Sequence, residues 1–390
     1  MQLPLESEDE VALFDLEVFN YYESWAWECW SHKDAADGDD AYLPIRHLKD
    51  SENVEVFVIG ASKMGRAMVN FAMPLMNYGE DDKHCRITIF DTDRQKKGFL
   101  PDCETLNALP EVQVCFVEMD GCSDEANAIM LKAARKPKTS VTIVVALSDP
   151  ETAIRIYFEL SNRLRRESVS VLIWQATHSG NCPNKKYLKM GGSDAKLADQ
   201  TTIRFFGMTD RLPWKNPDRL NYGMAINFYY DYWYGQKNAS PKASEPDFVS
   251  MAKAIWNEEK DRLKTHVSVI RGYPNRERAA AIWVKEERWK KWASVNSGDS
   301  FREKSLIFAG RPYAEAAARM LKAEHNRWWT EKLLGGWLPD ANLKPGAESH
   351  ADKPHMIHGD MVPFEQLSEG VKDKDKINIA AMAACGFVGV

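Results

Sequence analysis

Between residue 54 and about residue 207 the chain alternates short β-type apolar runs with helical stretches, and this constrains its fold more than any other feature. The runs 54–59, 86–90, 112–117, 140–147, 169–174 and 202–206 are rich in valine, isoleucine and phenylalanine. Helical patterns fall at 66–77, 125–134 and 151–165. Strands apolar on both faces and separated by helices predict a parallel sheet covered on both sides, an α/β fold.

The first run leads into Gly60-Ala61-Ser62-Lys63-Met64-Gly65. A strand, a glycine-rich turn and a helix N-terminus make the phosphate-binding corner of a Rossmann-like doubly wound parallel sheet. Gly60 and Gly65 hold the first and third glycine positions, and Ser62 stands where the middle glycine normally admits a pyrophosphate. A serine hydroxyl can still hydrogen-bond a phosphate, and Lys63 and Arg66 add positive charge. The second run ends at Asp91, with Asp93 just behind it. A carboxylate there accepts hydrogen bonds from ribose hydroxyls and repels a 2′-phosphate. The candidate cofactor-binding residues are thus Gly60, Ser62, Lys63, Met64, Gly65 and Asp91, and the expected cofactor is NAD or a related adenine nucleotide. The alternative is a Rossmann-like sheet that has lost its ligand.

Four regions follow from the texture of the chain: an aromatic-rich helical segment at 1–50, the sheet domain at 53–207, a helical connecting region at 208–305, and a C-terminal unit at 306–390. In the first, Phe14, Val18, Tyr21, Tyr22 and Trp25 recur at helical spacing. They suit packing on the body or on a second copy, or else stacking on a ligand. In the connecting region, helices are expected at 217–234, 248–266 and 277–292, with a loop at 236–245. A further helix is expected at 311–334, a loop at 338–361, and closing helices at 362–372 and 377–385.

Charge and cysteine content exclude several classes of function. The net charge of -6 and the pI near 5.9 argue against nucleic acid as principal partner. Seven cysteines, none in Cys-x-x-Cys spacing, suggest free thiols in a reducing cytoplasm rather than a zinc or redox site. No metal is expected, although His350, His355 and His358 share one loop-like stretch. The N-terminus lacks a signal peptide pattern, and no apolar window reaches the ~20 residues of a membrane span. A cytoplasmic homo-oligomer binding a small-molecule nucleotide is the expectation.

Two resemblances sharpen this. Residues 56–65, 87–91, 117–120 and 141–149 resemble the TrkA-N domain, the NAD-binding, RCK-type regulator of potassium transport, over about residues 53–207. The resemblance implies a ligand role for Asp120 in Met119-Asp120-Gly121-Cys122. Residues from about 310 to 390 resemble the ryanodine receptor repeat (RyR) domain. The matching residues are Ala323-Glu324-His325-Asn326-Arg327-Trp328, Gly335-Gly336-Trp337, Lys353-Pro354-His355, Val362-Pro363-Phe364-Glu365-Gln366-Leu367 and Lys374-Asp375-Lys376. That resemblance implies ligand sensing, of nucleotide-derived signals in bacterial defence.

Local chemistry allows a second ligand site at His325, Trp328, Lys332 and Trp337, where aromatic walls and a cation suit a flat ring bearing a phosphate. The alternative places the tryptophans in the core and sets His325 on a loop carbonyl. Three functions remain: a nucleotide-sensing regulatory protein binding an NAD- or ADP-ribose-like ligand, an NAD-dependent oxidoreductase, and an oligomeric scaffold with a structural nucleotide. No catalytic residue is assigned, the only histidine near the sheet's expected ligand edge being His178.

Overall fold

The computed structural model describes residues 21–30, 53–79, 84–93, 106–164, 169–177, 202–209, 313–340, 342 and 351–384. Helix α1 (Tyr21–Trp30) precedes β1 (Asn53–Ile59), α2 (Lys63–Leu75), β2 (His84–Asp91), β3 (Val112–Glu118) and α3 (Asp124–Ala134). Then come β4 (Thr139–Val145), α4 (Pro150–Arg163), β5 (Val169–Trp174) and β6 (Thr202–Phe206). All six strands pair in parallel in the order β3-β2-β1-β4-β5-β6. That order makes the fold Rossmann-like, with the chain reversing its direction of travel across the sheet between β1 and β4.

Strand periodicity explains why both faces are apolar. Val54, Val56 and Val58 point into one core with α1, α2 and the helix at Tyr313–Leu334, whereas Phe57 and Ile59 point into the other with α3 and α4. Helix α1 lies on α2, and the buried Trp30 ring donates its indole N–H to the Met68 carbonyl at 2.9 Å. A fully buried indole needs such a partner.

The C-terminal unit comprises α5 (Tyr313–Leu334), β7 (Leu338–Pro339), β8 (Ala351–Asp352), β9 (Ile357–His358), a 3-10 turn (Phe364–Gln366) and α6 (Glu369–Ala384). Two expectations are corrected here. The stretch expected as loop carries a three-stranded sheet, β7-β9-β8, whose strands have two residues each, too short to show periodicity. The two closing helices are one 3-10 turn and one continuous helix. The polar run from Asp373 to Lys376 does not break α6, because Lys372–Glu369 and Lys376–Asp373 pairs support it on the outside and Asp375 is buried. The helices expected at 217–234, 248–266 and 277–292, the loop at 236–245 and His178 lie outside the described residues.

A buried polar joint bolts α5 to the end of α2. The Glu111 carboxylate accepts the Tyr78 amide at 2.6 Å, the Gly79 amide at 3.0 and 3.1 Å, and the Asn326 side-chain amide at 2.7 Å. Asn77 caps the last turn of α2 by donating to the Met73 and Pro74 carbonyls, and also donates to the Thr330 hydroxyl at 3.1 Å. Gly79 adopts a φ of 69°, and a Cβ there would sit 2.1 Å from the Arg319 carbonyl oxygen. Glycine is required at that position both by conformation and by the helix backbone against it.

Gly79→Ala should therefore destabilise the protein by at least about 2 kcal/mol, from the left-handed backbone and the displaced helix together. Glu111→Ala should cost a comparable amount by stranding three buried donors. Thermal melts together with amide exchange in α5 check both, and near wild-type protection of α5 would show that the joint does not hold it.

Candidate functional site

The glycine turn is built by close approaches that its own residues dictate. Gly60 has a φ of 98°, and a Cβ there would lie 2.8 Å from the Leu147 side chain. A Cβ on Gly65 would lie 2.2 Å from the Gly60 carbonyl oxygen, so any larger residue breaks the corner whatever it binds. Ser62 is the N-cap of α2: its hydroxyl accepts the Gly65 amide at 3.1 Å and donates to the Ala146 carbonyl at 2.6 Å. Its one proton is thereby spent on β4's end, across the point where the strand order reverses. Lys63 and Arg66 are exposed on the first turn of α2, and Met64 is fully buried.

Asp91 ends β2 beneath this turn. One carboxylate oxygen accepts the Ala61 amide at 2.7 Å and the other the Asp93 amide at 2.9 Å. Asp120 is exposed past β3 and accepts the Cys122 amide at 2.9 Å. Burial, then the hydrogen bond to Asp120, pushes the Cys122 thiol up to about 12, which makes it inert as a thiolate.

Over β4 to β6 the same edge of the sheet carries groups that pair with one another. The Asp149 carboxylate caps α4 by accepting from the Glu151 and Thr152 amides at 3.3 and 3.1 Å and from the Thr152 hydroxyl. The hydrogen bond from the Thr152 side chain, with that of its amide, holds this carboxyl below the ordinary range. The ends of β5 and β6 are knitted by Gln175 N–H to the Phe206 carbonyl at 2.8 Å and Thr209 N–H to the Thr177 carbonyl at 3.0 Å. Tyr21 of α1 donates its hydroxyl to the Gly207 carbonyl and accepts the Trp174 indole N–H at 3.3 Å.

In the C-terminal unit, three of the four residues expected at a second ligand site converge. The Lys332 ammonium lies 5.7 Å from the Trp328 ring centre and 4.5 Å from that of Trp337. His358 completes the cluster, edge-on to Trp328 at 4.9 Å and tilted on Trp337 at 5.8 Å. His325 stands behind them. It is 2% exposed, stacks on Trp328 at 5.7 Å, and its Nε2 meets the Val362 carbonyl at 2.8 Å. That carbonyl can only accept, so Nε2 carries the proton and Nδ1 faces the Asp375 carboxyl at 3.7 Å.

Burial keeps His325 below its ordinary value. Burial, reinforced by Glu324 and Asp360, holds Asp375 well above the ordinary carboxylate range, against the pull of Arg327 and Lys374. Arg327 lies fully buried beside them, held bidentately by Glu324 at 2.7 and 2.8 Å and paired with Glu331 at 2.6 Å. This cluster anchors α6 to α5, and Trp328, Lys332 and Trp337 beside it are partly exposed.

Sequence reasoning missed Glu111, and it named Tyr21 and His358 without the contacts that they make. A lone glutamate before an apolar strand carries no signal by itself, and its partner Asn326 is 215 positions away. His358 was one of three loop histidines, and only β9 fixes which of them faces the tryptophans. Comparison with family models, with curated proteins and with solved structures finds no match to this chain.

His358 generates a pH prediction. Burial lowers its imidazole from 6.5 to about 4, with Asp360 opposing and Lys332 and Lys374 adding to the loss. Between those values the unfolded chain takes up a proton that the folded one does not, so stability falls as pH drops from 6.5 toward 4. His358→Asn should flatten this part of the curve. Melting temperatures between these limits test it, and an unchanged slope would remove His358 as the cause.

Proposed function

We propose that the chain is a nucleotide-sensing regulatory protein that binds an NAD- or ADP-ribose-like ligand at the glycine turn, the C-terminal unit acting as reader or relay. The observation that carries this reading is the placement of the Gly60–Gly65 turn at the reversal point of an all-parallel sheet, with Asp91 at the end of the neighbouring strand. Open sheets of this order bind ligands in that crevice. The first turn of α2 has no acidic residue and carries Lys63 and Arg66, so it favours an anion.

The resemblances to a TrkA-N domain and to a ryanodine receptor repeat supply the regulatory half of the proposal. The Trp328–Lys332–Trp337–His358 recess is where the C-terminal unit would meet a flat or charged group. The joint at Glu111 supports a relay, because α2 carries the glycine turn at one end and α5 at the other. A tie to bacterial defence rests on the resemblance alone.

Thermal shift with NAD+, ADP-ribose and NADP+ tests the proposal, since a ligand of the native state must raise its melting temperature. At a hundredfold excess over Kd the native state gains about 2.7 kcal/mol. NAD+ or ADP-ribose should stabilise, and NADP+ should do so less because Asp91 repels a 2′-phosphate. Lys63→Glu, an exposed change expected to alter basal stability by no more than about 0.5 kcal/mol, should weaken the shift several-fold. No shift with any adenine nucleotide would sink the reading, and an undiminished one in Lys63→Glu would move the ligand away from this turn.

A further inference from the structure

We infer that His325 of α5 and Asp375 of α6 hold one proton between them through neutral pH, and that this proton latches α6 onto α5. The inference is independent of the nucleotide reading above. It starts from a carboxyl group that the fold leaves without a donor. Asp375 is 8% exposed, and its Oδ2 has no hydrogen-bond partner. A bare carboxylate buried in that way is costly, and a neutral carboxyl far less so.

His325 stands opposite. Its Nε2 donates to the Val362 carbonyl at 2.8 Å, which leaves Nδ1 facing Asp375 Oδ2 at 3.7 Å. That is ion-pair rather than hydrogen-bond distance, so contact alone does not decide which of the two carries a proton. With no proton on either, a ring nitrogen lone pair and a carboxylate oxygen oppose each other across a buried gap. With one, the pair is imidazole and carboxylic acid or imidazolium and carboxylate, and both arrangements attract. The rings of Trp328, Trp329 and Phe364 surround the imidazole, with centres 5.7, 6.3 and 6.0 Å away.

The surrounding charges favour that proton. From α5, Arg327 faces Asp375, but Glu324 grips it at 2.7 and 2.8 Å and Glu331 pairs with it at 2.6 Å. From the segment before the 3-10 turn, Asp360 adds a carboxylate, and Lys374 on α6 itself lies 3.7 Å from it. His358 lies 4.0 Å from Asp360, and Glu365, which faces His325, pairs with Lys322 at 2.9 Å. Glu324, Glu331 and Asp360 thus already outnumber Arg327 and Lys374, and an ionised Asp375 would add to the excess. Burial, then Glu324, raises Asp375, and burial lowers His325, in keeping with a proton retained by the pair. Because the two residues come from different helices, loss of the proton turns an attraction between α5 and α6 into a repulsion.

Linkage gives the latch a signature. Unfolded, the aspartate loses its proton near 3.8 and the histidine near 6.5. Between those values the folded and unfolded pairs each hold one proton, and the pair adds no slope. Above 6.5 only the folded pair holds one, so stability falls as pH rises. Asp375→Asn, neutral and of the same shape, removes that loss. Denaturant unfolding of the full chain and of this variant between about pH 5 and 8 tests the inference. The variant's folding equilibrium should gain on that of the unaltered protein by up to about tenfold per pH unit, the effect of one proton. Other titrating groups are common to both proteins and cancel. In the unaltered protein, protection of α6 amides from exchange, corrected for base catalysis, should fall over the alkaline part of that range. A gap between the two proteins that stays constant with pH would overturn the shared proton, and α6 protection that holds while the gap widens would overturn the latch. Should the variant not fold, the carboxyl and imidazole NMR signals of the unaltered protein decide the matter. They should show one proton on the pair at neutral pH, and an ionised Asp375 beside a neutral His325 would overturn the inference.

Discussion

The Glu111 carboxylate is the constraint on which the arrangement of this molecule depends. It is 4% exposed and receives the Tyr78 and Gly79 amides from the end of α2 and the Asn326 amide from α5. A buried carboxylate is tolerated only when its lone pairs are occupied, and once they are, removing any donor leaves an uncompensated group. The sheet domain and the C-terminal unit therefore share one buried polar network. Gly79 lets the two backbones meet closely enough for it to form, and Trp329 and Leu333 of α5 complete the same apolar core as α1 and α2.

At the other end of α2 similar economy governs the glycine turn. Asp91 and Ser62 each do structural work on groups that a ligand would otherwise meet: Asp91 fixes the Ala61 amide, and Ser62 fixes the Gly65 amide and the Ala146 carbonyl. This preorganises the corner at the expense of one donor and one hydroxyl. Lys63 and Arg66 stand exposed on the first turn of the helix that this corner opens.

The sheet was legible in the sequence because its central strands β1, β4 and β5 are buried on both faces and so read as continuous apolar runs, Val54 to Ile59 being the clearest. Gly60, Gly65 and Asp91 were legible because turn chemistry and strand ends are local. The start of α2 was read three residues late, since Ser62 looked like part of a binding loop before its role as N-cap was visible. The two-residue strands β7, β8 and β9 left no periodic trace. Trp328, Lys332 and Trp337 were found from helical spacing and sequence proximity, but the same spacing put His325 on their face. Its stacking behind Trp328 and its bond to Val362 depend on where a distant segment returns, as does the entry of His358.

These long-range contacts decide how a signal could travel between the two ends of the molecule. A hinge at the joint would have to break the Glu111 bonds and expose the Asn77–Thr330 pair, each break leaving buried polar groups unpaired at about 1–3 kcal/mol apiece. Binding energy at a partly exposed turn such as Lys63–Arg66 is poorly placed to supply that. Helices α2 and α5 are therefore joined as one body, and under the proposed function a ligand at the glycine turn would act on the Trp328–Trp337 cluster by ordering or shifting this body rather than by opening it. In the recess, Lys332 already sits over Trp337, so any incoming group must displace or recruit a cation that the protein itself provides. The joint fixes the distance between the glycine turn and the cluster of Lys332 with its two tryptophans.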